Sequence, residues 1–354
     1  MRTPLVSVVI VVRNVERYLG EAIDSILKQS FTDFELIVLD YGSTDKSKGI
    51  TATSAVADSR VRLHEISTNS LVHARNAGCA LAQGKYIAVM DADDVSLPNR
   101  LQLEVDFLEQ HPGTGFVGGA AEWINPTGQK MWVLTFPTGD TEIKDALFTH
   151  FPFCHSAIVV RRELFQRIGG YRSSFIAGHD YDLCLRLAER AQPANVSEVV
   201  VKYRVHGSQI SLGKRQLQTL CKLAAQASAA ARKAGKPDPL DAAPEITPAL
   251  LLHLGVTEPT QQAALFSDYQ NWILCMFEAG EDAVALKASE EALNSNWKFV
   301  NRHQLGDLTY MAARLYWKQK RHLKSMFATL RAISLQPGLA KRLAGPVRRR
   351  IPVF

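Results

Sequence analysis

The stretch Tyr86-Ile87-Ala88-Val89-Met90-Asp91-Ala92-Asp93-Asp94 joins a short apolar run directly to three carboxylates. A continuous apolar run of this length predicts a strand that is buried on both faces, as in a parallel sheet. We place this strand at residues 86–90, so that Asp91 follows its carboxyl end. Ligands of open α/β sheets bind beyond the carboxyl ends of the strands, and we therefore expect these acids at a binding edge.

Strand-like and helix-like segments alternate on both sides of this stretch. Largely apolar runs predict strands at residues 7–12, 34–39 and 86–90, and alternating apolar and polar residues indicate a further strand at residues 61–66. Helical spacing predicts helices at residues 18–27, 70–83 and 101–108, with a further helix start at Thr44-Asp45. Gly84 is expected to end the helix at residues 70–83. The rhythm predicts an α/β fold, with a mostly parallel sheet and helices on both faces.

The second part of the chain changes character. After residue 112 we expect strands at residues 116–123, 157–160 and 196–203 and a helix at residues 180–190. Five helices are expected beyond residue 213, at residues 214–234, 261–278, 282–294, 305–317 and 323–334. Because 354 residues exceed the usual size of one domain, about 150 residues, we predict an α/β domain over 1–212 and a helical region over 213–354.

Composition narrows the class of protein. No run of eighteen apolar residues and no signal peptide is evident, so a cytoplasmic location is the expectation. The five cysteines are scattered and are expected to be buried hydrophobes rather than disulfide partners. We expect no nucleic-acid partner because no binding motif accompanies the positive charge.

The C-terminal end is strongly basic. Residues 298–354 contain thirteen Lys or Arg residues and a single acid, Asp307. A basic amphipathic helix in this tail is a candidate for peripheral contact with the inner face of the cell membrane. A packed helix with a solvated charged face and an oligomer contact are equally open alternatives.

The acids after residue 90 suggest metal chemistry. Asp91, Asp93 and Asp94 would repel one another unless a cation lay between them, and carboxylates suit Mg²⁺ or Mn²⁺. A solvated acidic turn that caps the next helix is the alternative. Asp40 also follows a predicted strand, so it should lie at the same edge of the sheet as Asp91.

The combination of motifs resembles the family 2 glycosyltransferases with the GT-A fold. The matching segments span roughly residues 4–211 and are 6–14, 37–45, 74–76, 84–94, 98–101, 169–171, 180–183 and 203–206. The resemblance implies that Asp40 binds the nucleobase, usually uracil, and that Arg75 lies near the nucleotide. Arg13 and Tyr41 stand where relatives have other residues, and they are expected to line the base pocket by stacking.

The same resemblance implies roles around the sugar. Asp91 and Asp93 match the DxD motif that contacts ribose and the metal-bound diphosphate, and His206 matches a histidine that approaches the metal or the diphosphate in some relatives. Asp180 matches the catalytic base. A helix cap is the alternative for Asp180, and an ordinary buried or surface histidine is the alternative for His206.

The expected activity is transfer of a sugar, with inversion, from a nucleoside-diphosphate sugar, in particular a UDP-sugar, to a glycan or lipid-linked acceptor. A carboxylate would take the acceptor proton and Mn²⁺ or Mg²⁺ would offset the charge of the leaving diphosphate. A nucleotide-sugar-binding module without turnover is the alternative, since His179 replaces the glutamate usual beside the base. A nucleotidyltransferase is disfavoured because residues 13–17 lack glycine.

Overall fold

The computed structural model describes residues 3–209, 214–242 and 245–340. The chain forms two compact units. The first comprises Met1–Ile124, Trp132–Arg204 and Ser228–Glu245, and the second comprises Asn125–Met131, Val205–Ala227 and Ile246–Phe354. The division of the chain into domains at residue 212 stays a prediction.

One nine-stranded sheet organises the first unit. Its strands are β1 (Val6–Val12), β2 (Phe34–Asp40), β3 (Val61–Glu65), β4 (Tyr86–Asp91), β5 (Val95–Ser96), β6 (Thr114–Ile124), β7 (Lys130–Leu134), β8 (Val159–Arg161) and β9 (Gln192–Arg204). The strand order is β3-β2-β1-β4-β8-β6-β9-β5, and β7 pairs with β6. Strands β1 to β4 are parallel to one another, and β6 is parallel to β9. Strand β8 runs antiparallel to β4 and β6, and β5 runs antiparallel to β9. The predicted, mostly parallel α/β sheet is confirmed.

The apolar runs of the sequence account for the centre of this sheet. All seven residues of β1 and of β2 are buried, as expected for strands covered on both faces. The register pairs Val12 with Asp40 and Val11 with Asp91, so the two aspartates flank the carboxyl end of β1. The predicted common edge for Asp40 and Asp91 is therefore present.

Helices cover both faces of the sheet. In the first unit they are α1 (Glu16–Leu27), α2 (Ser47–Ala57), α3 (Leu71–Ala80), α4 (Arg100–Gln110), α5 (Asp140–Ala146), α6 (Arg162–Arg167) and α7 (His179–Ala188). Val8 and Ile10 share a core with α1 and α4, while Val11 packs against α3 on the opposite face. This alternation follows from the two-residue period of a strand.

Gly84 has a different role from the predicted helix stop. Helix α3 ends at Ala80, and its C-cap residue is Leu81. Gly84 lies against β1 so closely that an added Cβ would be 2.7 Å from the backbone nitrogen of Ser7. Its own N–H donates to Ser7 Oγ at 2.8 Å. Glycine is needed there because the backbone of β1 approaches it.

The remaining helices follow in sequence after β9. They are α8 (Arg215–Lys233), α9 (Pro248–His253), α10 (Glu258–Glu278), α11 (Asp282–Asn294), α12 (Arg302–Lys318) and α13 (His322–Leu335). The five predicted helices are confirmed, and α9 is additional. Thr247, Thr257 and Asn301 cap α9, α10 and α12 through their side-chain oxygens.

Two further expectations concern the whole chain. All five cysteines lie in the described residues, are buried and form no disulfide. Within the described ranges, no helix combines the length and the apolar character that crossing a bilayer requires. Residues 341–354 of the predicted basic tail lie outside the described residues.

Candidate functional site

Asp40 presents a carboxylate oxygen that has no hydrogen-bond donor. The residue is buried at the end of β2. Its Oδ1 accepts from the backbone N–H groups of Gly42 and Ser43, both at 2.9 Å. Its Oδ2 is buried, and no donor within the described part of the chain reaches it. A buried acceptor without a partner costs free energy, so Oδ2 is suited to a donor group of a ligand.

The loops that follow β1 and β2 are held together by Asn14. Its backbone has a φ of 53°, a left-handed conformation that asparagine tolerates better than most residues. The Asn14 N–H donates to Ser43 Oγ at 3.1 Å, and its Oδ1 accepts from the Thr44 N–H at 2.7 Å. This arrangement brings the Arg13 guanidinium to 5.5 Å from the centre of the Tyr41 ring. The two residues predicted to line the base pocket therefore contact each other.

Arg75, which is buried, and Asp91, which is partly buried, form an ion pair at the same edge. Helix α3 delivers Arg75, whose Nη2 lies 2.6 Å from Asp91 Oδ1. The other carboxylate oxygen of Asp91 lies 3.3 Å from Nδ1 of His155. Burial by itself would raise the pKa of Asp91, but Arg75 and His155 outweigh it and hold that pKa well below its usual range. Asp91 is thus held in its ionised form.

The histidine that holds Asp91 is itself oriented by a tyrosine. His155 lies in a short 3₁₀ turn before β8, and its Nε2 is 3.1 Å from the Tyr171 hydroxyl. The ring of His179 lies 5.9 Å from that of His155 and 5.4 Å from that of Tyr171. His179, which departs from the family pattern, is therefore part of this buried aromatic cluster.

Asp94 has a structural role in the acidic stretch. It is buried, and its Oδ1 accepts from the Arg204 N–H at 2.8 Å, while Ser156 contacts its other oxygen. Burial, together with the charges of Asp93 and Asp91, raises the pKa of Asp94 well above its usual range. The next helix, α4, is preceded by Asn99 at its N-cap position. The acidic stretch is therefore not a solvated helix cap.

Asp93 is more accessible than Asp94. It is half-buried, and its backbone carbonyl accepts from Arg204 Nε at 2.9 Å. Across the described ranges, no three or more His, Cys, Asp and Glu side chains form a group that could enclose a metal ion. A metal at this edge would therefore need ligands from its substrate as well as from the protein.

Asp180 lies in the first turn of α7. The N-cap residue of this helix is Gly178, whose φ is 58°, so the alternative of Asp180 as the N-cap is wrong. Burial alone would lower the pKa of Arg75. The nearby acidic groups of Asp91, Tyr171 and Asp180 outweigh burial and hold that pKa above its ordinary value. The ring of His179, the residue before Asp180, lies against that of His155, which contacts Asp91, so the start of α7 lies beside the edge that carries Asp91.

A buried charge cluster fixes α7. Asp182 is fully buried and accepts from Nε of Arg172 at 3.1 Å and from Nε of Arg186 at 2.9 Å. Arg186 also donates to the carbonyl oxygens of Ile168 and Gly170, at 2.9 and 2.6 Å. The helix that carries Asp180 is therefore tied to the turn before it.

The Gly169-Gly170-Tyr171 turn is more than a connection. Both glycines have positive φ angles, 78° and 67°. The Asn76 side chain of α3 accepts from the Tyr171 N–H at 2.9 Å and donates to the Tyr171 carbonyl at 2.7 Å. The turn thus holds Tyr171 against α3, one residue beyond Arg75.

His206 lies in the second compact unit. It is buried, and its Nδ1 is 2.8 Å from Ser208 Oγ. Its role as a metal ligand stays a prediction. His155 and Ser156 have no role in the sequence analysis, because no local pattern marks residues that lie 64 and 62 positions from Asp91 and Asp94.

Comparisons with known proteins agree with this fold and sequence pattern. The family model described as "Glycosyl transferase family 2" matches residues 7–169. The O-antigen biosynthesis glycosyltransferase WbnJ of Escherichia coli is 30% identical over 207 residues, which cover 57% of this chain and 80% of that protein.

Two solved structures have a similar fold. The structure of S. aureus TarS 1-349 in complex with UDP has a TM-score of 0.52 and 17% identity, over 98% of this chain and 94% of that one. The mannosyltransferase PcManGT from Pyrobaculum calidifontis, in complex with GDP-Man and Mn²⁺, has a TM-score of 0.50 and 18% identity, over 97% and 88% of the two chains. The chain belongs to glycosyl transferase family 2 and is a glycosyltransferase with the GT-A fold.

Proposed function

We propose that this glycosyltransferase moves a sugar from a UDP-sugar to a hydroxyl group of a glycan or lipid-linked acceptor, with inversion at the anomeric carbon. Mn²⁺ or Mg²⁺ assists the reaction, and Asp180 is the general base. The observation that carries the proposal is that His179, the residue before Asp180, lies 5.9 Å from the ring of His155, which contacts Asp91 at the sheet edge. That edge lies at the carboxyl ends of parallel strands, where α/β proteins bind their ligands.

The nucleotide assignment rests on Asp40. Its Oδ2 accepts from the ring N–H that uracil offers, and this bond would satisfy a buried acceptor. Arg13 and Tyr41, which contact each other, flank the base and contribute stacking. The TarS structure holds UDP, whereas the mannosyltransferase holds GDP-Man. The two structural neighbours thus bind different bases, and the preference for uracil is our proposal.

The residues at this edge fit a divalent cation that is shared with the substrate. Mg²⁺ and Mn²⁺ are often held by one or two carboxylates together with substrate phosphates. Asp93 supplies such a carboxylate. Both oxygens of Asp91 already contact Arg75 or His155, but each oxygen has a further lone pair that can accept from a ribose hydroxyl or bind the ion. When bound, the ion offsets the negative charge that develops on the leaving diphosphate.

The chain's own groups perform the proton transfer and the orientation. The acceptor oxygen forms its bond to the anomeric carbon while the bond from that carbon to the diphosphate oxygen breaks. Asp180 takes the acceptor proton in the same step, so no covalent enzyme intermediate is required. Asp182 and Arg186 fix the helix that carries Asp180, and Arg75 contributes positive charge near the diphosphate.

Replacement of the base tests the mechanism. Asp180→Asn should lower the rate of UDP release in the presence of acceptor by about 10²–10⁴-fold, because the amide cannot take the proton. Its Kd for UDP, measured by calorimetry with Mn²⁺, should stay within about twofold of the wild type. Glu163→Gln, which breaks an exposed ion pair, is the control and should change neither quantity.

Two results would contradict the mechanism. A rate for Asp180→Asn equal to that of the wild type would remove Asp180 from it. Binding of UDP by the wild type without transfer to any acceptor in a glycan and lipid-linked panel would favour the binding-module alternative.

Replacement of the base-pocket acid tests the nucleotide assignment separately. Asp40→Asn should weaken UDP binding by about 10–100-fold, since a hydrogen bond to a charged group contributes about 1.5–3 kcal/mol. Wild-type protein should bind UDP more tightly than GDP. Equal affinity of the two nucleotides, or unchanged UDP binding by the variant, would refute the assignment to uracil.

A further inference from the structure

Helix α13 exposes a continuous apolar face. Leu323, Met326, Phe327 and Leu330 are 72%, 50%, 65% and 58% exposed. Their spacing of three, four and seven residues places them on one side of the helix. A helix of a soluble protein normally turns such a face toward the core, so an exposed apolar face of this kind marks an interaction surface.

The opposite side of α13 explains this orientation. The residues that face inward are small: Ser325 is 7% exposed and Ala332 is fully buried. Ser325 Oγ donates to the Ala313 carbonyl of α12 at 2.8 Å. An added Cβ at Gly306 of α12 would lie 2.8 Å from Gln336 Cβ, so the two helices pack closely through small residues. The large apolar side chains therefore point away from α12 and stay exposed.

Basic residues flank the exposed apolar face. Lys324 and Arg331 are exposed and lie seven residues apart, along one border of it. Near the turn between α12 and α13, Trp317 is 63% exposed, and its ring lies 4.6 Å from that of His322. The sequence contains no acidic residue after Asp307. The surface is thus apolar at its centre and basic along the border that Lys324 and Arg331 form.

We propose that this face of α13 docks on the surface of an anionic lipid bilayer, with the helix lying in the plane of the interface. An amphipathic helix with an apolar face and a basic border is the form that binds such a surface. Anionic headgroups complement Lys324 and Arg331, and the exposed Trp317 suits the boundary between headgroups and acyl chains. Binding to a bilayer goes beyond the sugar transfer proposed above and does not depend on it.

The charge of the chain disfavours two other occupants. A second copy that packed antiparallel against the same face would bring the two basic borders together, and α13 itself carries no acidic residue to offset them. Residues 341–354 contain five basic residues and no acid, so this segment is not complementary in charge either. An anionic surface is the partner whose charge and apolar depth both fit.

Vesicle sedimentation with the full chain tests the proposal. The protein should bind vesicles of phosphatidylcholine mixed with phosphatidylglycerol more tightly than vesicles of phosphatidylcholine alone, and added salt should weaken the binding. The double variant Leu323→Ser, Phe327→Ser should lose at least about tenfold in partitioning. Lys324→Gln and Arg331→Gln should each lose about fivefold.

A matched control removes exposed apolar residues elsewhere. The double variant Val56→Ser, Leu252→Ser replaces residues that are 90% and 53% exposed on α2 and α9, and it should bind like the wild type. Circular dichroism should show that every variant is folded.

Three results would overturn the proposal. The first is equal binding of both kinds of vesicle by the wild type. The second is a pair of findings: the Leu323→Ser, Phe327→Ser variant binds vesicles like the wild type, and neutralising Arg348, Arg349 and Arg350 abolishes vesicle binding. That pair would assign the binding to the C-terminal segment. The third is a dimer in sedimentation equilibrium that this double variant dissociates, which would make the face a contact between copies.

Discussion

The substitution Asp182→Asn tests whether the buried charge cluster holds α7 in place. Asp182 is fully buried between Arg172 and Arg186, and asparagine has nearly the same volume. The change therefore removes the charge and leaves no cavity. Removal of one partner from a buried ion pair costs about 3–5 kcal/mol, because the remaining charge stays desolvated.

The surroundings place the expected cost at the lower end of that range. Arg172 still has Asp238 at 2.8 Å, and Arg186 still donates to two backbone carbonyls. We therefore expect a loss of about 3 kcal/mol in the free energy of unfolding of the first unit. With a urea dependence of about 2–3 kcal/mol per molar, the midpoint should fall by about 1–1.5 M.

Urea unfolding, followed by tryptophan fluorescence and by circular dichroism, measures this midpoint. The control is Glu163→Gln, which breaks an ion pair whose side chains are 63% and 86% exposed. Exposed pairs contribute about 0–1 kcal/mol, so the control should shift the midpoint by less than about 0.5 M. If Asp182→Asn and Glu163→Gln shift the midpoint equally, the cluster does not stabilise α7 and the reasoning is refuted.

Two further predictions concern the turn and the acid at the sheet edge. Gly170→Ala should destabilise the protein by about 1–3 kcal/mol, and by more than Gly169→Ala. Both glycines have a positive φ, but only a Cβ at Gly170 would meet a neighbouring atom, Asn76 Oδ1 at 2.7 Å. Equal urea midpoints for the two variants would contradict this prediction. The pKa of Asp91 is held well below its ordinary value of 3.8, so its stabilisation is fully present above about pH 4 and is lost as the pH falls through the folded-state pKa. The cost of Asp91→Asn should therefore be large at pH 7 and shrink below pH 4, and a cost independent of pH in urea titrations would refute the pairing with Arg75.

Much of the sheet follows from local pattern. Residues 7–12, 34–39 and 86–90 are largely apolar, and each forms a buried strand with bounds within one residue of the prediction. Parallel strands end at one edge, so the positions of Asp40 and Asp91 beside β1 followed from sequence order. Helix α7 was predicted from its spacing, which placed Asp180 near its start.

Other features had no local signal. Strands β5 and β7 and helices α5 and α9 were not predicted, because each is short. Gly84 looked like a helix stop, although its real constraint is the backbone of β1, which is distant in sequence. The first-turn position of Asp180 depends on Gly178, whose left-handed conformation a sequence pattern does not reveal.

The sequence by itself determined the fold class, the family and the carboxylates that lie at the carboxyl edge of the sheet. These follow from strand and helix periods and from short motifs, which act over a few neighbouring residues. The tertiary structure decided which charges meet: Asp91 with Arg75 and His155, Asp94 with Ser156, and Asp182 with Arg172.

The tertiary structure also decided which face of α13 is exposed. The sequence shows that Leu323 and Phe327 share one side of this helix. It does not show whether that side packs against a neighbouring helix or stays exposed. The described structure packs α13 through Ser325 and Ala332 instead. Periodicity defines a face, whereas the direction of that face depends on the shape of its neighbour, here the small residues of α12.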